Sequence, residues 1–320
     1  MDVWLLAALR CPLHPHHGAL APVRPLGCPG EPAVARVLRC RYCHRTYPAR
    51  DGIPDMLSPA GCPDHVRAPE EAQWDGQAAR YDEGRLRDPV YMAGVEAAAR
   101  ALAPRAGELV LDAACGTGLT ARVYARRGLR VVALDLSLGS LARLQAARLP
   151  GVRPVRADLG ALPFADGTFD RVLCANAIQH MPDEGLRQAW VRELARVARP
   201  GGRVVVTAHG WSVPKRWAAW PKEGAARGPS GPVRYIYRFE PAEFGALLGS
   251  ALRVDAVRGA GLPLPYRRKL SWLSRGAERV LSRLPASAAW GNLLVGVARR
   301  EHPAAASSFG PVAELCARTA

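Results

Sequence analysis

Residues 110–118 read VLDAACGTG: apolar residues and an acid, then small residues and two glycines. The following run, LTARVYARRG, carries apolar positions at helical spacing. Strand, tight turn and helix in that order can bring main-chain amides to a bound nucleotide. Gly116 and Gly118 permit close approach of a ligand to the backbone, and the start of a helix leaves amides unpaired. The pattern is not a dinucleotide fingerprint, because Ala114 and Thr117 break its spacing, and no Gly-Lys followed by Ser or Thr makes it a P-loop. Asp135, about 20 residues beyond the glycines, ends the apolar run of RVVALDLS, where a carboxylate can accept from ribose hydroxyls. Asp158 ends a further β-like run, and Asp170 opens another. Asn176 and His180 lie just past the carboxyl end of the latter, where open α/β sheets bind ligands.

These residues need a sheet to hold them. The segment LARVARPGGRVVVTAHG supplies a helix end, a Pro-Gly-Gly turn and a Val-rich strand. With 320 residues, about half of them apolar, the chain can bury a core large enough for one α/β domain and a smaller module. Apolar runs such as WLLAAL fall far short of the roughly 20 residues of a transmembrane helix. The amino terminus has an acid where a signal peptide needs basic residues, so the expected location is cytoplasmic. Eight cysteines in that setting point to metal or bystander thiols rather than a disulfide framework. The net charge of +16 suits nucleic acid, but Arg is scattered along the whole chain and Lys occurs only at 215, 222 and 269.

Ahead of the nucleotide-type motifs lies LRCPLHPHHGALAP and, further on, VLRCRYCHRTYPARDGIPDML. Cys40 and Cys43 form a CxxC knuckle that folds two thiolates toward one tetrahedral centre. Upstream, Cys11 is followed by His14 at the place of a second thiolate, so the expected structural zinc ligands are Cys11, His14, Cys40 and Cys43. His16, His17 and Cys28 compete for the uncertain position, and a degenerate ribbon without metal is the alternative. Residues 58–72 have the Pro, Gly and charge content of a linker, in which Cys62 and His65 read as incidental.

Taken in order, VLDAACGTG, ALDLS, RADLGALPFADGTFDRV, NAIQHM and RVARPGGRVVV resemble the class I S-adenosylmethionine-dependent methyltransferases, especially the small-molecule, quinone-biosynthesis type. The resemblance covers residues 74–208 well and implies a Rossmann-like seven-stranded α/β sheet with helices on both faces. It places Gly116 and Gly118 near the methionine part of the cofactor, with Asp112 holding its amino group directly or through water. Asp135 takes the ribose hydroxyls, Asp158 and Leu159 bracket the adenine, and Asn176 lends its carbonyl near the sulfonium; Ala114 and Leu136 complete the set. The ending YPARDGIPDML resembles the small zinc-ribbon module that activates methyltransferases as a separate subunit or a fused amino-terminal piece. The segment QWDGQAARYDEG resembles the part that closes over the cofactor, which puts Tyr81, ahead of Trp74, over the adenosine or the reacting methyl.

The expected organisation is therefore a zinc-ribbon-like β module over 1–57, a linker over 58–72, a methyltransferase domain over 73–302 and a tail over 303–320. Insertions at about 210–238 and 262–289 are expected to build a substrate lid, with Trp211, Trp217, Trp220, Tyr235 and Tyr237 walling an apolar chamber. In the second insertion Leu270, Leu273, Val280, Leu281 and Leu284 can share one helix face, with Arg267, Arg268, Lys269, Arg275, Arg279 and Arg283 mostly elsewhere. His180 and His209 stand where a general base could face the methyl, or where a structural imidazole could bond a loop carbonyl. The function expected is methyl transfer to an O, N or C nucleophile of a small, partly apolar molecule. An RNA base methyltransferase and a non-catalytic scaffold are the other two readings.

Overall fold

The structure, a computed structural model, describes residues 2–23, 37–125, 127–227, 233–263 and 271–302. Cys28, Arg267, Arg268, Lys269, Leu270 and the 303–320 tail lie outside them. Four short strands come first: β1 (Leu20–Val23), β2 (Val37–Cys40), β3 (Thr46–Arg50) and β4 (Ile53–Pro54), paired in sequence order as an antiparallel sheet. Nine more follow: β5 (Leu109–Ala113), β6 (Arg130–Asp135), β7 (Val152–Arg156), β8 (Phe169–Ala175), β9 (Ala198–His209), β10 (Glu223–Arg227), β11 (Val233–Tyr237), β12 (Arg253–Ala260) and β13 (Leu293–Arg299). Seven of these make one sheet in the order β12-β13-β9-β8-β5-β6-β7.

From β7 to β9 the strands run parallel, while β13 and β12 pair antiparallel at one side. The parallel centre follows from composition. Leu111, Val132, Val172 and Val204 are all fully buried, as expected of strands covered on both faces. The Pro-Gly-Gly segment falls inside the span of β9 instead of before it, and the register against β8 slips there, from Phe169 opposite Ala198 to Arg171 opposite Arg203. Gly201, at φ 73°, permits the irregularity. Among the described residues no helix is long and apolar enough to cross a membrane.

The amino-terminal sheet is not a separate bead. Leu9, Leu38, Tyr47 and Met56 belong to the same buried cluster as Leu111, Val155 and Phe164 of the large sheet region. Backbone contacts run across as well: Arg10 N–H donates to Pro163 O at 2.8 Å, and Met56 N–H to Arg156 O at 2.8 Å. Asp55 thereby lies in parallel bridge register with Arg156 at the free edge of β7. The Arg156 side chain, almost fully buried, holds Asp55 at 2.7 Å and also pairs with Glu71 of the next helix.

That next helix, Asp64–Ala78, occupies much of the stretch read as a linker. Pro69 lies within it near its first turns, and Asp64 sits in the first turn, where a negative charge opposes the helix dipole. Val280, Leu281 and Leu284, read as one apolar helix face, are exposed rather than packed against the core.

Candidate active site

The carboxyl ends of β5, β6, β7 and β8 open on a cavity of about 1140 Å³, mouth included. Its floor is made by Ala114, Cys115 and Gly116 after β5, Asp135 and Leu136 at the end of β6, Asp158 and Leu159 after β7, and Asn176 and His180 after β8. Its cover is made by Cys62, Val66, Arg67, Glu70, Trp74, Tyr81 and Tyr91. Ala114 at φ 57° and Asn176 at φ 56° both adopt the left-handed conformation. Asn tolerates that region; Ala does so at a cost, and such strain is concentrated where function requires it.

Asp135 is fastened from both sides, with Gly116 N–H donating to Oδ2 at 2.7 Å and Ser137 N–H to Oδ1 at 2.9 Å. Burial raises its pKa against those backbone amides. Asp158 is held likewise by the amides of Gly160, at 2.6 Å, and Cys62, at 3.0 Å. A Cβ on Gly61 would come within 2.9 Å of the Asp158 carboxyl carbon, so glycine lets the chain pass there. Cys62, read as incidental, is thus a cavity residue: the helix after it brings the segment down onto the cofactor-side acid. His65 is exposed and stays outside the lining.

Asp112, Gly118 and His209 do not line the cavity. Asp112 is wholly buried within β5, and neither carboxylate oxygen has a partner of full hydrogen-bond geometry among the described residues, the Thr120 hydroxyl lying close by. Burial pushes its pKa up to about 7, with the Thr120 hydroxyl opposing the rise and the Asp135 charge adding to it. Gly118, at φ 81°, turns the chain into the helix Leu119–Tyr124, and a Cβ there would lie 2.3 Å from a Leu144 methyl. His209 closes β9 opposite Leu293 of β13.

His180 lies in a short 3-10 turn, Ile178–His180, with its ring against Trp74 at 5.3 Å between centroids. Its Nδ1 is 2.9 Å from the Tyr235 carbonyl, which can only accept, so Nδ1 carries the proton. Nε2 lies 3.3 Å from the amide nitrogen of Gln179, which also donates to the Asn176 carbonyl at 2.7 Å. Tyr81 meets Tyr91 hydroxyl to hydroxyl at 3.2 Å, and the Arg85 guanidinium covers the Tyr91 ring at 4.5 Å. Burial pushes the Tyr91 phenol well above its ordinary value.

None of Trp211, Trp217, Trp220, Tyr235 or Tyr237 reaches the cavity. Their rings engage cations instead, Tyr237 of β11 with Arg187 at 4.6 Å and Trp211, ahead of the helix Val213–Trp217, with Arg216 at 5.2 Å. β11 of the β10–β11 hairpin reaches the site through the backbone carbonyl of Tyr235, which meets His180 Nδ1. The aromatic wall comes from Trp74, Tyr81, Tyr91 and Trp190, of which Tyr91 and Trp190 were not singled out from sequence. Both lie in helices with an apolar face, and nothing in their spacing separates them from ordinary core aromatics.

Away from this cavity, Cys11, His14, Cys40 and Cys43 bring one ligand atom each to within 4.8 Å of one another. Cys11 Sγ lies 3.8 Å from Cys43 Sγ and 3.7 Å from His14 Nδ1. A tetrahedral ion with metal–sulfur bonds of about 2.3 Å sets its sulfurs about 3.8 Å apart, whereas a disulfide would need about 2.05 Å. Burial raises the Cys40 thiol, but the amides of Cys43 and Tyr42 outweigh it and leave its pKa lowered. The cluster has the spacing of a four-ligand metal site.

Comparison with known proteins agrees with this geometry. The methyltransferase domain family matches residues 110–202. The demethylmenaquinone methyltransferase of Mycolicibacterium paratuberculosis is 34% identical over 203 residues, 59% of this chain and 84% of that protein. The chain belongs to the class I S-adenosylmethionine-dependent methyltransferases. The demethylmenaquinone methyltransferase of Mycolicibacterium vanbaalenii is 35% identical over 182 residues, 53% of this chain and 76% of the relative. A chain from the complex between the Haloferax volcanii Trm112 methyltransferase activator and a methyltransferase shares the fold, with TM-score 0.51 and 18% identity over 72% of this chain and 98% of that one. These relatives favour small-molecule methyl transfer over the RNA and scaffold readings.

The methyltransferase's cavity also fits the cofactor on its own terms. Both acids at the strand ends keep carboxylate lone pairs beyond those taken by backbone amides. A Cβ at Gly116 would meet nothing within 4 Å, so the turn presents open main chain to the cavity. The Asp112 carboxylate, wholly buried and without a hydrogen bond of full geometry among the described residues, suits a ligand that carries positive charge.

Proposed function

We propose that this methyltransferase moves a methyl group to a ring carbon of a largely apolar, quinol-type aromatic such as the demethylmenaquinone of its relatives. The observation that carries this reading is the aromatic wall of Trp74, Tyr81, Tyr91 and Trp190 on the same cavity as Asp135 and Asp158. S-adenosylmethionine, when bound, supplies a methyl already activated on a sulfonium. The chain then has to align the acceptor and exclude water, which position and burial accomplish. In this reading Asp135 and Leu136 hold the ribose, Asp158 and Leu159 the adenine, and Ala114, Gly116 and Asn176 border the methionine end. Asp112 acts beneath the turn through its charge, and Gly118 shapes the turn without touching the cofactor.

His180 is assigned a positioning role. Its Nδ1 proton ties the 3-10 turn to the hairpin, and the Gln179 amide donates toward Nε2. The amino-terminal module, residues 1–57, is assigned a structural zinc held by Cys11, His14, Cys40 and Cys43. Incubating the full chain with labelled cofactor and a reduced demethylnaphthoquinone carrying a prenyl chain tests the assignment. Label should appear on the ring carbon, and absence of transfer to that acceptor would remove the quinol reading. In the same assay His180→Gln should slow transfer by less than the roughly hundredfold minimum of a lost general base, without a change in pH profile.

Asp112 adds a pH dependence. With its pKa raised to about 7, it is largely neutral below that value before the cofactor binds and ionised above it. A cationic cofactor favours the ionised form, so binding below about pH 7 must release a proton. Cofactor affinity should therefore fall as pH drops below about 7, by at most about tenfold per unit, and level off above it. Calorimetry across pH on wild type and Asp112→Asn checks this: the slope should vanish in the variant.

A further inference from the structure

Trp217, Trp220 and Trp290 are 77%, 50% and 41% exposed, and Val280, Leu281 and Leu284, shortly before Trp290 in sequence, are exposed as well. Trp217 and Trp290 meet edge to face, with ring centroids 5.7 Å apart. Leu284 O accepts from Ser287 N–H one turn before Trp290, so the aliphatic and aromatic parts join through consecutive turns. Among the described residues these are most of the large exposed hydrophobics, and they gather in two stretches, 217–220 and 280–290. Neither 210–222 nor 279–292 contains an acidic residue, whereas Arg216, Arg279 and Arg283 are exposed within them. Among the described residues Arg279 has only a distant carboxylate, Glu96 at 4.0 Å.

The patch also has a defined place. Helix Val213–Trp217 follows the carboxyl end of β9, and Trp290 precedes β13, whose first residue pairs with His209 at that same end. β9 runs parallel to β8, whose carboxyl end carries Asn176 and opens on the cavity. The tryptophans and the cavity therefore share one edge of the sheet.

We propose that this face docks the enzyme on an anionic lipid surface, with Trp217, Trp220, Trp290 and Leu284 entering the headgroup boundary and Arg216, Arg279 and Arg283 meeting lipid phosphates. Exposed Trp flanked by Arg and aliphatic side chains is the chemistry of a membrane interface. A second copy of the chain is disfavoured, because each brings +16 and the same basic residues to a self-complementary contact. Single-stranded RNA would be gripped by parallel faces of rings. Here Trp217 and Trp290 are turned edge to face, and the aliphatic residues offer bases nothing. The inference stands apart from the identity of the acceptor, since docking needs no substrate.

Sedimentation of the full chain with vesicles of phosphatidylcholine, with and without phosphatidylglycerol, tests it. The protein should bind the anionic vesicles, weaken with added salt and show a blue shift of tryptophan emission on binding. Trp217→Ser with Trp290→Ser should weaken vesicle binding by at least about tenfold. Calorimetry with S-adenosylmethionine serves as the folding control. Should that pair fail the control, Leu284→Ser with Arg283→Glu carries the same expectation. Failure to bind anionic vesicles overturns the proposal, as does binding that survives both pairs of substitutions. Light scattering that reports a dimer dissolved by the substitutions, or RNA retention lost with them, in protein that ignores vesicles, overturns it in favour of that partner.

Discussion

Replacing Asp135 by Ala should weaken S-adenosylmethionine binding by about a hundredfold to ten-thousandfold. The carboxylate accepts from the amides of Gly116 at 2.7 Å and Ser137 at 2.9 Å, and so fixes the glycine turn to the end of β6 while facing the cavity. Hydrogen bonds to a charged group contribute about 1.5–3 kcal/mol each, and two of them correspond to a factor of about 10² to 10⁴ in a binding constant. The loss has two parts. The turn is released, and the ribose loses the acceptor proposed for it. Asp135→Asn keeps one acceptor oxygen and should fall between wild type and Ala. Titration calorimetry measures both, with thermal melts to show that the sheet persists. Equal affinity in wild type and Asp135→Ala would move the cofactor away from β6.

Removing the zinc proposed for the Cys11, His14, Cys40 and Cys43 cluster should do more than unfold a small appendage. Structural zinc contributes about 10–16 kcal/mol to folding in small metal-dependent domains, which is comparable to the whole stability of a typical protein. Chelation, or Cys40→Ser with Cys43→Ser, should therefore melt β1–β4. The damage is expected to spread, because Tyr47 and Met56 share a core with Val155 and Phe164. Asp55 would also leave Arg156, the residue that holds Glu71 of the covering helix. Elemental analysis should find about one zinc per chain before treatment, as four ligands around a single centre require, and calorimetry should find weaker cofactor binding after it. Arg156→Ala separates the two effects: it breaks a buried pair at a cost of about 3–5 kcal/mol while leaving the metal ligands intact. That variant should retain zinc and bind cofactor less tightly. Folded, metal-free protein with unchanged cofactor affinity would mean that the cluster serves no structural ion.

The parallel sheet was legible because its strands announce themselves twice, as short apolar runs and as acids at their carboxyl ends. Asp135 and Asp158 occupy those ends and line the cavity. The ligand cluster was legible from the CxxC spacing and the Cys11–His14 echo of it, which need only local chain geometry to converge. The cover was less so. Residues 58–72 have the composition of a linker, and only burial against Asp158 and Arg156 reveals that Cys62 and Glu71 are held. The aromatic insertion misled in the opposite sense. A run of Trp and Tyr says that rings will be sequestered or displayed, not from what, and Trp217 and Trp220 are displayed. Position along the chain carries no sign of which helix face turns toward a cavity, so Tyr91 and Trp190 passed unnoticed.

The cover over the cavity is fastened chiefly by carboxylates. Asp75 accepts from the Ser137 hydroxyl at 2.6 Å and the Gly139 amide at 2.9 Å. Asp82 takes the Thr117 hydroxyl and, at 3.0 Å, Arg122. Glu71 takes Arg156. Contacts of this kind differ in exposure: the pair of Asp82 with the partly exposed Arg122 can be exchanged for water, whereas the buried pair of Arg156 with Glu71 is costly to break, so the cover is expected to lift first at its Asp82 end. Release of the spent cofactor should then depend on latches remote from the methyl group, and Asp75→Ala or Asp82→Ala should change turnover with the transfer step itself left untouched.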